Sequence, residues 1–255
     1  MQFVRIQLET IDSTNTYAKQ HADTFDPGKI TCITTEEQTA GRGRFNKIWQ
    51  SPKEVNLYVT FFFHLPLGTK HLPCLAHIGI HSLAQTLIEA KLSPKIKWPN
   101  DILLSGKKLA GVLCEITTTQ KSVEVVLGIG LNVNMRQEQL DEIDQIATSL
   151  LVETKRIWDK ERLLAGLQKH LASDLERFKK WGFEPFQPFF NDHLAYKGET
   201  IRVKEGNQQW SGLCEMITPN GELRLRLSEN KYHDCLSGEV AKFRPQHPFQ
   251  DESSP

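Results

Sequence analysis

The stretch Lys97-Trp98-Pro99-Asn100-Asp101, running on to Gly106-Lys107-Lys108-Leu109-Ala110-Gly111, decides how this chain is read. It sets polar and cationic groups between two apolar runs, Ile102-Leu103-Leu104 and Val112-Leu113. Apolar runs bounded by Pro and Gly read as short buried strands joined by a tight turn, here Ser105-Gly106. Neighbouring residues on a strand point to opposite faces, so only one of Lys107 and Lys108 can face inward. An inward lysine is costly unless an anion meets it. A rigid ladder that holds such a charge suits a binding site. Taken alone, a solvated hairpin with two surface lysines explains the stretch equally well.

The rest of the composition narrows the choice. At 255 residues the chain has room for one large domain, or one large and one small. Its 31 basic and 31 acidic residues cancel, so no overall field draws it to DNA or to anionic lipid. The five cysteines, Cys32, Cys74, Cys114, Cys214 and Cys235, are scattered and contain no C-x-x-C. That argues against a disulfide framework or a structural zinc site and for a reducing, cytoplasmic setting. The N-terminus has no apolar leader, and no window approaches the ~20 apolar residues of a membrane span. The expectation is a cytoplasmic protein with neither a membrane nor a DNA partner.

Alternation predicts strands at Phe3 to Leu8, Ile30 to Thr35, Val55 to Phe63 and Val123 to Leu127. Asp12-Ser13-Thr14-Asn15 offers four helix-capping side chains ahead of Tyr17, and capping accounts for only one of them. The others leave polar groups at a strand-to-helix corner. Gly41-Arg42-Gly43-Arg44 supplies a backbone able to approach an anion and guanidiniums to neutralise it. Gly128-Ile129-Gly130-Leu131-Asn132-Val133-Asn134 likewise suits close approach to a ligand. Helices are predicted from Leu72 to Ala90, and after Asp159 along the stripe Leu164, Leu167, Leu171, Leu175 and Phe178, stopping at Gly182. His77 and His81 lie at i, i+4, but without a carboxylate or cysteine at a helpful spacing they do not read as a metal site. From Gly198 the pattern turns to short strands, the last read from Cys235 to Val240, with turns at Gly206-Asn207 and Asn220-Gly221.

Five motifs thus stand in order: DSTN at 12–15, E-x-Q-x-A-GRGR at 36–44, KWPND at 97–101, KKLAG at 107–111 and GIGLNVN at 128–134. Together they resemble the catalytic domain of the biotin–protein ligases. The resemblance implies an α+β fold, a mixed β-sheet packed with helices as in class II synthetases, followed by a small SH3-like β-barrel. It implies a catalytic domain over residues 1–195, the barrel over 196–243 and a disordered tail over 244–255.

It also implies a chemistry: biotin is activated with ATP to biotinyl-5′-adenylate, then passed to a lysine of a biotin carboxyl carrier protein domain, as in acetyl-CoA carboxylase. Such chemistry builds negative charge at the α-phosphate, so fixed cations are the main need. By resemblance, Lys108, Arg42 and Arg44 are the catalytic cations. Ser13, Thr14, Asn15, Gln38, Arg42, Gly43, Arg44, Lys108 and Gly111 surround biotin. Gly41, Arg42, Arg44, Trp49, Asn100, Asp101, Lys108 and Asn132 surround ATP, with Asp101 as the carboxylate for Mg²⁺.

Two departures stand out. Members of the family continue the loop after GRGR with further arginine and glycine, where this chain has Phe45-Asn46-Lys47. Asn46 tolerates a left-handed backbone and Lys47 keeps a charge. Second, the first strand begins at Phe3, which leaves no room for the N-terminal DNA-binding domain of some bacterial members, so a monofunctional ligase is expected. Family members pair through an exposed sheet edge, which leaves a homodimer open. The alternatives are a lipoate/octanoate–protein ligase and a non-catalytic biotin-binding module. The loop at 41–49 carries three cations and little to order it, so it is expected to stay open until an anion meets those charges.

Overall fold

The computed structural model describes residues 1–242, apart from the side chain of Asn46. The tail expected to be disordered lies outside the described residues. The first sheet begins with β1 (Phe3–Ile11), leading into α1 (Thr14–Gln20), then β2 (Ile30–Gln38) and β3 (Leu57–Leu65). After α2 (Leu75–Glu89) come β4 (Lys95–Lys97), β5 (Asp101–Leu104), β6 (Lys107–Thr118) and β7 (Val123–Leu131). Helices α3 (Gln137–Asp141), α4 (Leu150–Thr154), α5 (Lys160–Trp181) and α6 (Gln187–His193) follow. The chain ends in β8 (Thr200–Glu205), β9 (Gln208–Ile217), β10 (Leu223–Ser228), β11 (Lys231–Cys235) and β12 (Glu239–Lys242).

Seven strands form one mixed sheet in the order β1-β2-β3-β7-β6-β5-β4, parallel only between β1 and β2. Strand β3 lies inside it and alternates between two cores: Phe61 and Phe63 join the large one, Phe62 the small one. Helix α1 covers the small side through Ala18, and α2 backed by α5 covers the other. Helix α5 forms for the reasons legible in its sequence. Asp159 accepts hydrogen bonds from the Glu161 and Arg162 amides, the leucine stripe is buried, and Gly182 stops the helix at φ 68°.

The second sheet is antiparallel in the order β11-β10-β9-β8-β12. Five antiparallel strands thus make up the small C-terminal unit, with no ladder between the end strands β11 and β12 among the described residues. The segment read as one strand, Cys235 to Val240, is two strands broken at Leu236–Gly238. Gly238 sits at φ 146°, and a Cβ there would clash with the Lys204 carbonyl oxygen at 2.8 Å. Ile201, Val203, Leu223 and Leu225 of this sheet join the same large core as β3 and α2. The Trp98 indole N–H donates to the Gly221 carbonyl at 3.0 Å, fixing the KWPND stretch to a turn of the second sheet. No helix among the described residues is long and apolar enough to cross a membrane.

The α2 histidines are packing groups. His81 Nδ1 lies 2.7 Å from Asp174 Oδ2, which also accepts from Ser82 Oγ at 2.8 Å. The sequence hid this carboxylate partner because it comes from α5. His77 packs edge-on against Phe183 and tilted against Phe190, and neither ring nitrogen has a hydrogen-bond partner. Burial, with Arg44 nearby adding repulsion, lowers the His77 pKa to about 4. Protonation therefore favours the unfolded chain, where histidine titrates near ~6.5. This contribution is fully present above that pH and lost as pH falls towards 4. Urea unfolding should show roughly 3 kcal/mol of pH-dependent loss across that window in the wild type. His77→Phe should remove that share of the slope.

Candidate active site

The β5–β6 hairpin is the frame of the site. Ser105 (φ 51°) and Gly106 (φ 76°) both take positive φ, as a two-residue hairpin turn requires. The ladder pairs Ile102 with Ala110 and Leu103 with Lys108, skipping Leu109. Lys108 is clamped by its backbone: its amide donates to the Ile146 carbonyl at 3.1 Å, and its carbonyl accepts from the Thr148 amide at 2.8 Å. Its side chain, 17% exposed, puts Nζ 2.9 Å from Asp101 Oδ1. That approach is an ion pair without hydrogen-bond geometry, so Asp101 Oδ1 is buried with no donor. Lys107 turns the other way, 43% exposed and 3.6 Å from Glu153. The two lysines divide as strand geometry demands.

A polar corner lies at the start of α1. Gln38 Oε1 accepts from the Thr14 amide at 3.0 Å and the Thr14 hydroxyl at 3.2 Å, while Gln38 Nε2 donates to Ser51. Thr60 Oγ1 lies 2.8 Å from Thr14 Oγ1 and 2.6 Å from Asn15 Oδ1. Asn15 Nδ2 donates to Glu115 at 2.9 Å, and Glu115 also meets Lys19 and, at 3.7 Å, Arg42. Ser13 holds the capping position with no capping bond from its side chain. These polar groups largely satisfy one another, as buried groups must.

The loop 41–49 closes on itself. The Gly43 amide donates to the Lys47 carbonyl at 2.7 Å and the Trp49 amide to the Gly41 carbonyl at 2.9 Å. The left-handed residue is Phe45 (φ 55°). The loop is also tied to the second sheet: Arg44 donates to the Gly238 carbonyl at 3.2 Å, and Lys47 meets Glu239. Burial lowers the pKa of the Arg44 guanidinium, against the opposing pull of Asp101 and Glu239. Trp49 rests against Gly111 and Gly130, and its indole nitrogen is buried without a protein partner. Lys108 Nζ is 5.4 Å from the Trp49 ring centroid.

These parts enclose a cavity of about 160 Å³. Ser13, Thr14, Asn15, Gln38, Arg42, Gly43, Arg44, Trp49, Asn100, Asp101, Lys108 and Gly111 all line it. Two expected residues do not. Gly41 is packed beneath, where a Cβ would meet the Trp49 carbonyl oxygen at 2.5 Å. Asn132 is buried beside a smaller neighbouring cavity, with its amide nitrogen donating to the Thr148 carbonyl at 3.0 Å. Since Thr148 also holds Lys108, Asn132 bears on the site through the frame. Asn100 lines the cavity and also braces the hairpin, donating to the Val112 carbonyl at 2.8 Å. Sequence reasoning missed Lys97, Tyr58, Gly238 and Glu239, which also line the cavity, and Thr60 and Glu115, which tie its polar corner. Burial lowers the pKa of Lys97, opposed by nearby Asp101. Its place before Trp98-Pro99 was the signal available.

The cavity thus joins the Thr14–Gln38 hydrogen-bonding corner to a set of cations, Lys97, Lys108, Arg42 and Arg44, an arrangement suited to an anion that also carries a polar group. The sequence pattern of the Biotin/lipoate A/B protein ligase family matches residues 8–132. The chain is 32% identical over 242 residues to the bifunctional ligase/repressor BirA of Escherichia coli K12, spanning 92% of this chain and 72% of that one. It is 29% identical over 226 residues to the biotin–[acetyl-CoA-carboxylase] ligase of Paracoccus denitrificans, spanning 86% and 92%. The biotin protein ligase from Aquifex aeolicus, solved with biotin and ATP, superposes with a TM-score of 0.80 at 30% identity, covering 93% of this chain and 97% of that one. The chain belongs to the Biotin/lipoate A/B protein ligase family and, within it, to the biotin–protein ligases.

The glycines under the cavity make a sharp prediction. A Cβ on Gly130 would lie 2.4 Å from the Trp49 ring, whereas on Gly43 its nearest neighbour is 3.6 Å away. Gly130→Ala should cost roughly 1–3 kcal/mol in urea unfolding through overpacking. Gly43→Ala should cost much less.

Proposed function

We propose that this protein activates biotin with ATP and transfers the biotinyl group to a lysine of a carrier domain of the acetyl-CoA carboxylase kind. A biotin carboxylate oxygen bonds to the α-phosphorus as the bond to the β-phosphate bridge breaks, and pyrophosphate leaves. The carrier lysine amine then attacks the acyl carbon, the acyl–oxygen bond breaks, AMP leaves and the amine gives up a proton. Both steps develop charge around the α-phosphate.

The observation that carries this reading is the clamped Lys108 ammonium beside Asp101, at the foot of a cavity ending in the Thr14–Gln38 corner. A preorganised cation at that junction stabilises developing charge without first having to reorganise. Arg42 and Arg44 supply guanidiniums to the carboxylate and phosphates, with the Gly43 backbone close by. Ser13, Thr14, Asn15 and Gln38 hold biotin's ureido ring, and Gly111, by lacking a side chain, lets Trp49 pack close beside the biotin site. Trp49 offers an unused indole N–H on the nucleotide side, and Asn100 and Asn132 keep the frame in place. A bound Mg²⁺ would neutralise phosphate charge here. Asp101, the carboxylate lining the cavity beside Lys108, would be the residue to hold it.

The test is biotin-dependent exchange of labelled pyrophosphate into ATP, with lipoate as the control acid. Exchange that lipoate supports better than biotin, or no exchange with either acid, would overturn the reading. In the same assay Lys108→Ala should lose roughly 10²–10³ in rate, the scale for one preorganised electrostatic group. Lys107→Ala, on the opposite face, should stay near wild type. Calorimetry on Thr14→Val and Gln38→Leu should show biotin binding weakened by about 1–3 kcal/mol, with ATP binding changed far less.

A further inference from the structure

Lys47 and Glu239 line the cavity but have no part in the chemistry above. Lys47 Nζ lies 2.6 Å from Glu239 Oε1, and that contact holds the glutamate below the usual carboxylate range. One residue earlier, the Gly238 carbonyl accepts from Arg44. The cationic loop therefore touches the second sheet at two adjacent points. Both sides of the contact are built. On the loop, the Gly43–Lys47 and Gly41–Trp49 backbone bonds fix where Lys47 sits. On the sheet, Glu205 accepts from the Leu236 and Ser237 amides at 2.9 and 3.3 Å, and its other oxygen lies 2.8 Å from His233 Nε2. Gly238 then lets the chain pass close to Lys204 into β12.

We propose that the Lys47–Glu239 pair is a latch holding the cationic loop shut, so that the second sheet sets how long the acyl-adenylate is retained. The inference rests on the reading that the cavity forms such an intermediate. A mixed anhydride is lost if water enters or the loop opens, so closure is a matter of retention as much as of chemistry. The loop must also open to admit the carrier lysine. A pair whose side chains are 64% and 44% exposed suits both needs, since exposed ion pairs are worth a factor of roughly two to five. A fully buried pair would hold the loop far harder.

The test uses the full chain with labelled biotin, ATP and pyrophosphatase, without carrier, followed by a chase of unlabelled biotin. Loss of labelled biotinyl-adenylate is then timed. Lys47→Gln and Glu239→Gln should each speed the loss roughly two- to fivefold, and the double variant should be no faster than either single one. Unchanged loss in either single variant, or additive effects in the double, overturns the latch. Biotin-dependent pyrophosphate exchange run on the same preparations separates the two levels. No exchange in wild type would sink the underlying reading, whereas intact exchange with unaltered loss would sink the latch alone.

Discussion

Everything in this site depends on keeping the Lys108 ammonium and the Asp101 carboxylate 2.9 Å apart with little exposure to water. Taking two charges out of water costs several kcal/mol each, and their attraction repays that only if geometry holds them together. The geometry comes from backbone. The primed turn at Ser105-Gly106 sets which lysine turns inward, and the 146–148 segment grips Lys108 by both its amide and its carbonyl. Asn132 in turn grips Thr148, and Asn100 ties the start of β5 to β6. A lysine so anchored has few other places to go. Its side-chain entropy is spent on folding rather than on binding.

The same economy extends around the cavity, where most cations have a carboxylate of the protein beside them. Lys108 has Asp101, Arg42 has Glu115 and Lys47 has Glu239. Arg44 and Lys97 differ: among the described residues neither has a carboxylate at ion-pair distance, Arg44 donates to the Gly238 carbonyl, and burial lowers the pKa of both. Protein carboxylates let a cluster of positive charge fold without self-repulsion. Each is also a rival that an incoming phosphate must outbid. Arg44 and Lys97, the cavity cations with no carboxylate at hydrogen-bond distance, are therefore where an anionic ligand gains most per contact.

How much of this could be read beforehand follows from which contacts are local. The hairpin with its inward lysine, the DSTN corner, the Asp159 cap and the leucine stripe of α5 rest on neighbours within a few positions, and each was legible. Thr60 and Glu115 were not. They sit in ordinary-looking strands, and only the pairing of β3 and β6 with β7 brings them to Asn15. Phe45 was misread for a physical reason. Asn tolerates the left-handed region better than Phe, so intrinsic preference pointed to Asn46, but the Gly43–Lys47 closure puts that conformation one residue earlier. His81 looked unpartnered because Asp174 lies on another helix.

The second sheet was the least legible part of the site. Read as one strand, Cys235 to Val240 would carry Glu239 on along the sheet, whereas it lines the cavity. The break at Leu236–Gly238 turns the chain instead, and it does so because Glu205 collects the two amides that the break leaves unpaired. Neither Glu205 nor Gly238 advertises this in sequence, since a glutamate on a strand and a glycine near a turn are both commonplace. The consequence is structural economy of a particular kind. Trp98 beside the KWPND motif hydrogen-bonds Gly221, and Arg44 of the loop hydrogen-bonds Gly238, so the sheet braces the site at two separate points. With its apolar residues merged into the main core, the sheet cannot shift without moving both contacts. That is why it counts as a wall of the active site rather than an appendage.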